Sequence, residues 1–250
     1  MNETIQKLVG HTSIRRYLQK EVPQNMIDAI LQAVQQAPSW INGQQLSIIR
    51  VTDADKRQQL QQLAGDQVYV GQAPEFWVFC LDFYRVSKAL ALEGKTFQAA
   101  DNPDLIIVGA SDVGISLGTA VAAAESLGLG TVAIGGVRRD PQAVIDVLEL
   151  PAYVYPISGL CIGFPDEAPD VKPRLPRQAI VFENTYNTEV DEMLEAYNET
   201  ISAYMHKRTD GQAKTNWSSG VASFYSEPFY RGNSYANATP ILKKQGFLKK

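Results

Sequence analysis

The stretch from Leu105 to Leu129 constrains the fold of this chain more than any other. It is rich in Ile, Val, Ala and Gly, and it is long enough for a helix that crosses a membrane. Asp112 interrupts it, and Ser111, Ser116 and Thr119 dilute it. A spanning helix wants roughly twenty mostly apolar residues without such a charge. Its small residues, Gly109, Ala110, Gly114, Gly118, Ala122 and Ala123, instead let neighbouring backbones come close. The stretch is therefore expected to be a central core helix or a subunit-interface helix.

The rest of the chain supplies enough material to build around such a helix. Its 250 residues suit one large domain or one and a half. A net charge of −4 argues against a nucleic-acid binder, which would carry a basic face. Neither nucleic acid nor membrane is an expected partner. Cys80 and Cys161 sit in apolar runs and are too few for a metal site, so buried free thiols in a reducing cytosol are expected. No basic segment followed by an apolar core opens the chain, and a cytoplasmic location is expected.

Helical spacing predicts a short helix over 3–9. A longer one opens at Pro23, carries Ile27, Ile30, Leu31 and Val34, and stops at Pro38. Leu46–Val51 has strand character. Thr52 or Asp53 caps the next helix, with Leu60 and Leu63 inward. Glu75–Phe83 is an apolar strand, 84–93 a helix, and 102–127 the long helix, with Gly128 and Gly130 suiting its C-terminal cap. Thr131–Ile134 is a strand, Asp140-Pro141 starts a helix to Leu148, and Val154–Ile162 is a strand. Beyond it, Asp166–Pro176 should run extended, Ile180–Tyr186 is a candidate final strand, and Glu189–Lys207 is a polar helix with Met193, Leu194, Tyr197, Ile201 and Tyr204 on one face. From 208 onward the chain is rich in Gly, Ser, Asn and Lys.

His11-Thr12-Ser13-Ile14-Arg15-Arg16-Tyr17 gathers an imidazole, small hydroxyls, guanidiniums and a phenol. Such a kit suits a phosphate, because arginine presents a rigid fork and hydroxyls add short donors. A solvated surface segment has the same composition. Lys172-Pro173-Arg174-Leu175-Pro176 is a second cationic cluster whose prolines hold Lys172 and Arg174 on one side; two solvated charges are the plain alternative. Pro38-Ser39 through Gln44 is an uncharged polar loop that suits a heterocycle or ribityl hydroxyls, or merely a turn. Gln67, in Gly65-Asp66-Gln67, is equally open. Gly128-x-Gly130 follows a helix rather than a strand, so it is not a dinucleotide fingerprint. Gly135-Gly136 after the strand Thr131–Ile134 permits a flat ligand to approach the backbone, or forms a simple turn. His11 and His206 are the only histidines. No nucleophile elbow and no zinc spacing is present, so chemistry should be carried by an organic cofactor.

Together these segments resemble the FMN-dependent nitroreductase superfamily, in its oxygen-insensitive NADPH nitroreductase and flavin reductase branch. The markers are His11-x-Ser13-Ile14-Arg15, Pro38-Ser39 through Gln44, Gly65-Asp66-Gln67, Glu75–Cys80, Ala123–Gly130, Ile134–Arg138 and Lys172–Pro176. The resemblance implies an α+β fold: a nitroreductase-like mixed sheet surrounded by helices, with an extended C-terminal segment exchanged in a homodimer. Residues 1–187 would form the FMN-binding core and 188–250 a C-terminal helix and arm of the same domain. It also implies that His11, Ser13, Lys172 and Arg174 hold the FMN phosphate and that Arg15 sits by the N1/O2 edge of the flavin. Ser39, Gln44 and Gln67 would meet the ribityl or ring edge, and Ile134, Gly135 and Gly136 would present backbone near N5.

The implied reaction is ping-pong: hydride passes from NADPH to FMN N5 and then to small-molecule electron acceptors such as nitroaromatics, quinones or free flavin. The flavin carries the chemistry, and no side chain is expected to be catalytic. Arg208 and Lys214 would grip the extra phosphate of NADPH. Ala213 replaces a common basic residue there, leaving NADH as an alternative donor. Thr12 replaces an arginine common in the first motif, and Glu227 stands where relatives carry a basic residue. A non-catalytic flavin- or nucleotide-binding redox sensor is the competing reading; it would share the phosphate grip but lack the nicotinamide clamp.

Overall fold

The computed structural model describes residues 1–226, 235 and 238–249. These fall into two compact units, Met1–Pro169 with Ser234–Lys250, and Asp170–Asn233. The expected boundary after residue 187 thus falls inside the second unit.

The first unit is built on four strands, β1 (Leu46–Arg50), β2 (Glu75–Asp82), β3 (Gly130–Ile134) and β4 (Val154–Gly163). They lie in the order β1-β2-β4-β3, and all three ladders are antiparallel. A parallel bridge joins Ser13 to Thr131 at the β3 edge. β2 carries no polar residue between Phe76 and Leu81 because both its faces are covered. Phe76, Trp77 and Phe79 are fully buried, each contributing about 1.5–3 kcal/mol by leaving water. At the strand's start Glu75 takes Arg50 Nη2 at 2.9 Å and Trp77 Nε1 at 2.6 Å, which satisfies three polar groups at once.

Helices α1 (Glu3–Val9), α2 (Gln24–Gln35), α3 (Ala54–Leu63), α4 (Val68–Gln72), α5 (Tyr84–Leu92), α6 (Asp104–Ser126) and α7 (Pro141–Leu148) pack around the sheet. Their starts follow local chemistry. Asp53 accepts from Lys56 N at 2.8 Å, and Asp140 accepts from Ala143 N at 3.1 Å ahead of Pro141. In α2 the buried residues are Ile27, Ile30 and Val34, one stripe at helical spacing.

α6 is long and apolar enough, by length and composition, to cross a membrane. Its inner side packs on the sheet, with Gly109, Asp112, Val113, Ser116, Ala120 and Ala124 buried. Gly109 permits this: an added Cβ would meet Phe83 Cε2 at 2.8 Å. The opposite side is uncovered. Gly128 ends the helix at φ +80. Gly130 does not act as a cap; it opens β3, where the Ile14 side chain lies against its bare Cα.

The chain's end belongs to this unit. α8 (Asp191–Arg208) and α9 (Trp217–Tyr225) lie in the second unit, but α10 (Ala238–Lys244) returns to the first. Phe247 is buried against Phe83 and Tyr153, and Leu248 N donates to Ala100 O at 3.0 Å. Among the described residues after 208, Trp217–Tyr225 and Ala238–Lys244 are helical.

In the second unit Tyr197 and Ile201 form the buried stripe of α8, as the spacing predicts. Ile180–Tyr186 is not a strand. Asn184 has φ 62, Thr185 N turns back to Glu183 O at 2.7 Å, and Ile180, Val181 and Tyr186 are exposed. An apolar run without a sheet edge to pair with gains nothing from extension.

Candidate functional site

The segment 11–17 runs along the open edge of β3. Ile14 N donates to Thr131 O at 2.9 Å, and Tyr17 bridges to Pro165. Ile14 is buried over Gly130, so the alternating side chains of His11, Ser13 and Arg15 share the other side. Tyr17 is structural: its buried hydroxyl donates to Ile14 O at 2.6 Å, and burial raises its ionisation far above the usual phenol range. Arg16 is exposed and pairs with Glu167 at 3.5 Å.

His11 and Arg15 have partners that the sequence does not reveal. His11 Nδ1 lies 2.7 Å from Glu125 Oε1 on the last turn of α6. The same oxygen accepts from Thr131 Oγ1 at 2.8 Å. Glu167 Oε1 accepts the backbone N–H of Arg15 at 2.5 Å and of Arg16 at 3.1 Å. The Arg15 guanidinium stands 5.9 Å from the centroid of Tyr69. Tyr69 OH donates to Gln67 Oε1 at 2.6 Å, and Gln67 Nε2 donates to Ala64 O at 2.9 Å.

Gly136 closes this chain of contacts. A Cβ there would meet Ala64 O at 2.3 Å and Gln67 Nε2 at 2.9 Å. Its missing side chain therefore serves protein packing. Gly135 is the exposed member of the pair; beside an added Cβ lies only Arg138 Nη2, at 3.6 Å. Ile134 is buried beneath. His11, Ser13, Arg15, Gln67 and Ile134–Gly136 thus form one patch around the β3 edge and the end of that strand.

Ser39 and Gln44 lie elsewhere. Gln44 N donates to Ser39 Oγ at 3.1 Å, and Trp40 N donates to Asp112 Oδ1 at 3.2 Å. Arg85 clamps the loop by giving Nη2 to Gln44 O at 2.8 Å and Nη1 to Asp82 Oδ2 at 2.7 Å. Ile41, Asn42 and Gln44 all have positive φ, which is costly for a β-branched residue such as Ile41. Ser39, Gln44, Gln45, Arg85, Asp112 and Ser116 help line a cavity of about 460 Å³. Burial raises the Asp112 carboxyl above its usual range, against the Trp40 N–H, which lowers it. Asp112 and Glu125 lie on one helix, thirteen residues and about 20 Å apart. Within one copy, the Ser39 loop and the His11 patch are therefore separate.

The remaining expected residues belong to the second unit. Arg174 Nη1 turns back on its own backbone to Lys172 O at 2.8 Å. Tyr197 OH, from α8, donates to Pro173 O at 2.9 Å and fixes this segment. Arg208 ends α8, and Lys214 is exposed in the loop that follows. That loop is ordered: Gly211 N donates to His206 O at 2.9 Å and Ala213 N to Thr209 Oγ1 at 2.9 Å. Asn198 and Ser218 exchange two bonds of 2.9 Å, tying α8 to α9. Glu227 lies outside the described residues. Among the described residues, no group of His, Cys, Asp and Glu is placed to hold a metal ion.

The family model described as "Nitroreductase family" matches residues 8–164, and "Nitroreductase family, C-terminal domain" matches 172–250. The chain belongs to the nitroreductase family. Among its relatives is FMN reductase [NAD(P)H] of Bacillus subtilis, 46% identical over 99% of this chain and 98% of that protein. Two solved structures carry the same fold. NfrA2 of B. megaterium superposes with a TM-score of 0.95 at 44% identity, covering 99% of this chain and 98% of that one. NADPH:FMN oxidoreductase from Vibrio harveyi, complexed with NAD+, superposes with a TM-score of 0.88 at 36% identity, covering 100% of both. Glu125, Glu167, Tyr69 and Arg85 do not stand out in the sequence, and Asp112 stands out only as the charge that interrupts the long apolar stretch. His11 and Glu125 lie 114 residues apart, and only the tertiary fold joins them.

Proposed function

We propose that this chain is an FMN-dependent NAD(P)H oxidoreductase that passes hydride from NADPH, by way of FMN, to nitroaromatics, quinones or free flavin. The observation that carries the reading is the patch at β3: three polar side chains on one face of a strip, beside an exposed glycine. Its donors fit the cofactor. His11 and Ser13, with Lys172 and Arg174, would hold the phosphate. Arg15 would place a fixed positive charge by the ring edge where reduced flavin becomes negative. Gly135 leaves backbone open to a flat ring. When bound, FMN supplies the two-electron exchange; the chain supplies grip, orientation and charge.

The working unit is a homodimer on this reading. α6 leaves Ile107, Ser111, Gly114, Ile115 and Gly118 exposed along one face. Ile107 is 64% exposed and Ile115 44%, and nothing lies within 4 Å of a Cβ at Gly114 or Gly118. Small and apolar residues in such a stripe suit a second copy, with close backbone approach. A second copy also gives Ser39 and Gln44 a role, because they cannot join the His11 patch of their own chain. Residues 188–250, the C-terminal helix and arm, would embrace the second copy and count as one domain with the core. Arg208 and Lys214 would clamp the nicotinamide nucleotide's phosphate. Cys80 and Cys161, both free and buried, suit a reducing cytoplasm.

Purified protein should be yellow, and NADPH should bleach it in the absence of air. A colourless protein that gains no activity with added FMN contradicts the proposal. Arg208→Ala should raise the KM for NADPH while leaving kcat near wild type; an unchanged KM removes the clamp.

A further inference from the structure

The contact between His11 and Glu125 fixes more than position. A carboxylate oxygen accepts and does not donate, so at 2.7 Å the imidazole Nδ1 must carry the proton. Glu125 is held in turn by Thr131 Oγ1 at 2.8 Å, and its side chain is only 12% exposed. The arrangement leaves one ring nitrogen, Nε2, for any ligand. In a neutral ring with Nδ1–H, Nε2 is a lone-pair acceptor, and an acceptor repels a phosphate oxygen.

We propose that Glu125 is a positioning residue that locks the tautomer of His11, so that His11 can donate to the FMN phosphate only as an imidazolium, and FMN is bound together with one proton taken from solvent. This rests on the reading that His11 meets the phosphate. On that reading Lys172 and Arg174 would share the phosphate with His11, and further charges come from its own segment and the elements next to it. Glu125 comes from α6, and β3 (Gly130–Ile134) contributes none. α1 brings Lys7 in its last turn. The strip brings Arg15 and Arg16, both of whose backbone N–H groups are bound to Glu167. The sign follows: binding that needs the protonated ring weakens as pH rises.

The test uses full-length holoprotein labelled with 15N-histidine. The chain has two histidines, so a His206→Gln sample assigns the His11 signals. At about pH 8 an unperturbed imidazole is neutral, and the FMN phosphate is already fully ionised. His11 is expected to show both ring nitrogens protonated in the holoprotein. A neutral ring of either tautomer overturns the proposal. FMN release on dilution, read by free-flavin fluorescence, supplies the second arm. His11→Ala should raise the FMN Kd about tenfold or more, the loss of one charge-assisted bond. An unchanged Kd means the phosphate is not at His11, which is the failure of the underlying reading. In the wild type, log Kd should climb with pH with a slope approaching one, and in Glu125→Ala, whose ring can take the Nε2–H tautomer, the slope should flatten. A flat wild-type profile with a weakened His11→Ala contradicts the tautomer lock alone.

Discussion

Gly136→Ala gives the most quantitative test of how the patch is built. The new methyl would lie 2.3 Å from Ala64 O and 3.0 Å from Ala64 C. An ordinary contact needs about 3.4 Å or more, so one backbone must move by about 1 Å. Ala64 cannot yield cheaply. It is fully buried at the end of α3, with its N–H bonded to Leu60 O at 2.9 Å. Overpacking of this kind costs about 1–3 kcal/mol. The methyl also intrudes on Gln67 Nε2, whose 2.9 Å bond to Ala64 O is worth about 0.5–1.5 kcal/mol. The sum, about 1.5–4.5 kcal/mol, corresponds to a fall in Tm of roughly 3–18 °C for a chain of this size. Thermal unfolding followed by circular dichroism reads it directly. Gly135→Ala is the internal control: its Cβ meets nothing closer than 3.6 Å, so it should leave the Tm of the flavin-free protein unchanged while weakening FMN binding. A Gly136→Ala protein as stable as wild type would refute the packing argument.

Other outcomes follow from the same geometry. Tyr17→Phe removes a buried 2.6 Å bond to Ile14 O and should cost about 1–2 kcal/mol in urea unfolding, because the carbonyl is left without a partner. Gly118→Ala adds helix propensity on an uncovered face and would stabilise a monomer by up to about 1 kcal/mol; sedimentation should instead show weaker dimerisation, and unchanged assembly would remove α6 from the interface. Burial raises the Cys161 thiol from 9.0 to about 12 and pushes Cys80 up further. Their neutral forms thus contribute stability that is complete below pH 9.0 and lost as pH rises toward about 12; iodoacetamide should label neither until the protein unfolds.

Much of the fold was legible because apolar spacing and caps agree in α2, α3, α7, β2 and β4, where local preference and burial point the same way. α9 was not legible. Its Asn216 cap is visible in sequence, but Ser218, Ser219 and Gly220 are poor helix formers, and the bonds from Asn198 on α8 help hold it. Ile180–Tyr186 failed in the opposite direction: strand-like residues with no edge to pair. In the site, His11, Ser13 and Arg15 stood out because their side chains carry chemistry close together in sequence. Their partners Glu125 and Glu167 are ordinary carboxylates until the fold delivers them, Glu167 from 152 residues away. Gly136 was half legible: the need for glycine could be seen, but the cause is Ala64 and Gln67 rather than a ligand alone.

The central claim is that this chain binds FMN and moves electrons from NADPH through it. Anaerobic titration of the purified holoprotein with NADPH, followed by its visible spectrum, tests this most directly. The yellow flavin band should vanish at one NADPH per FMN and return fully when a nitroaromatic or quinone is added. A protein without flavin that cannot be reconstituted, or a flavin band that NADPH leaves intact, would contradict the account.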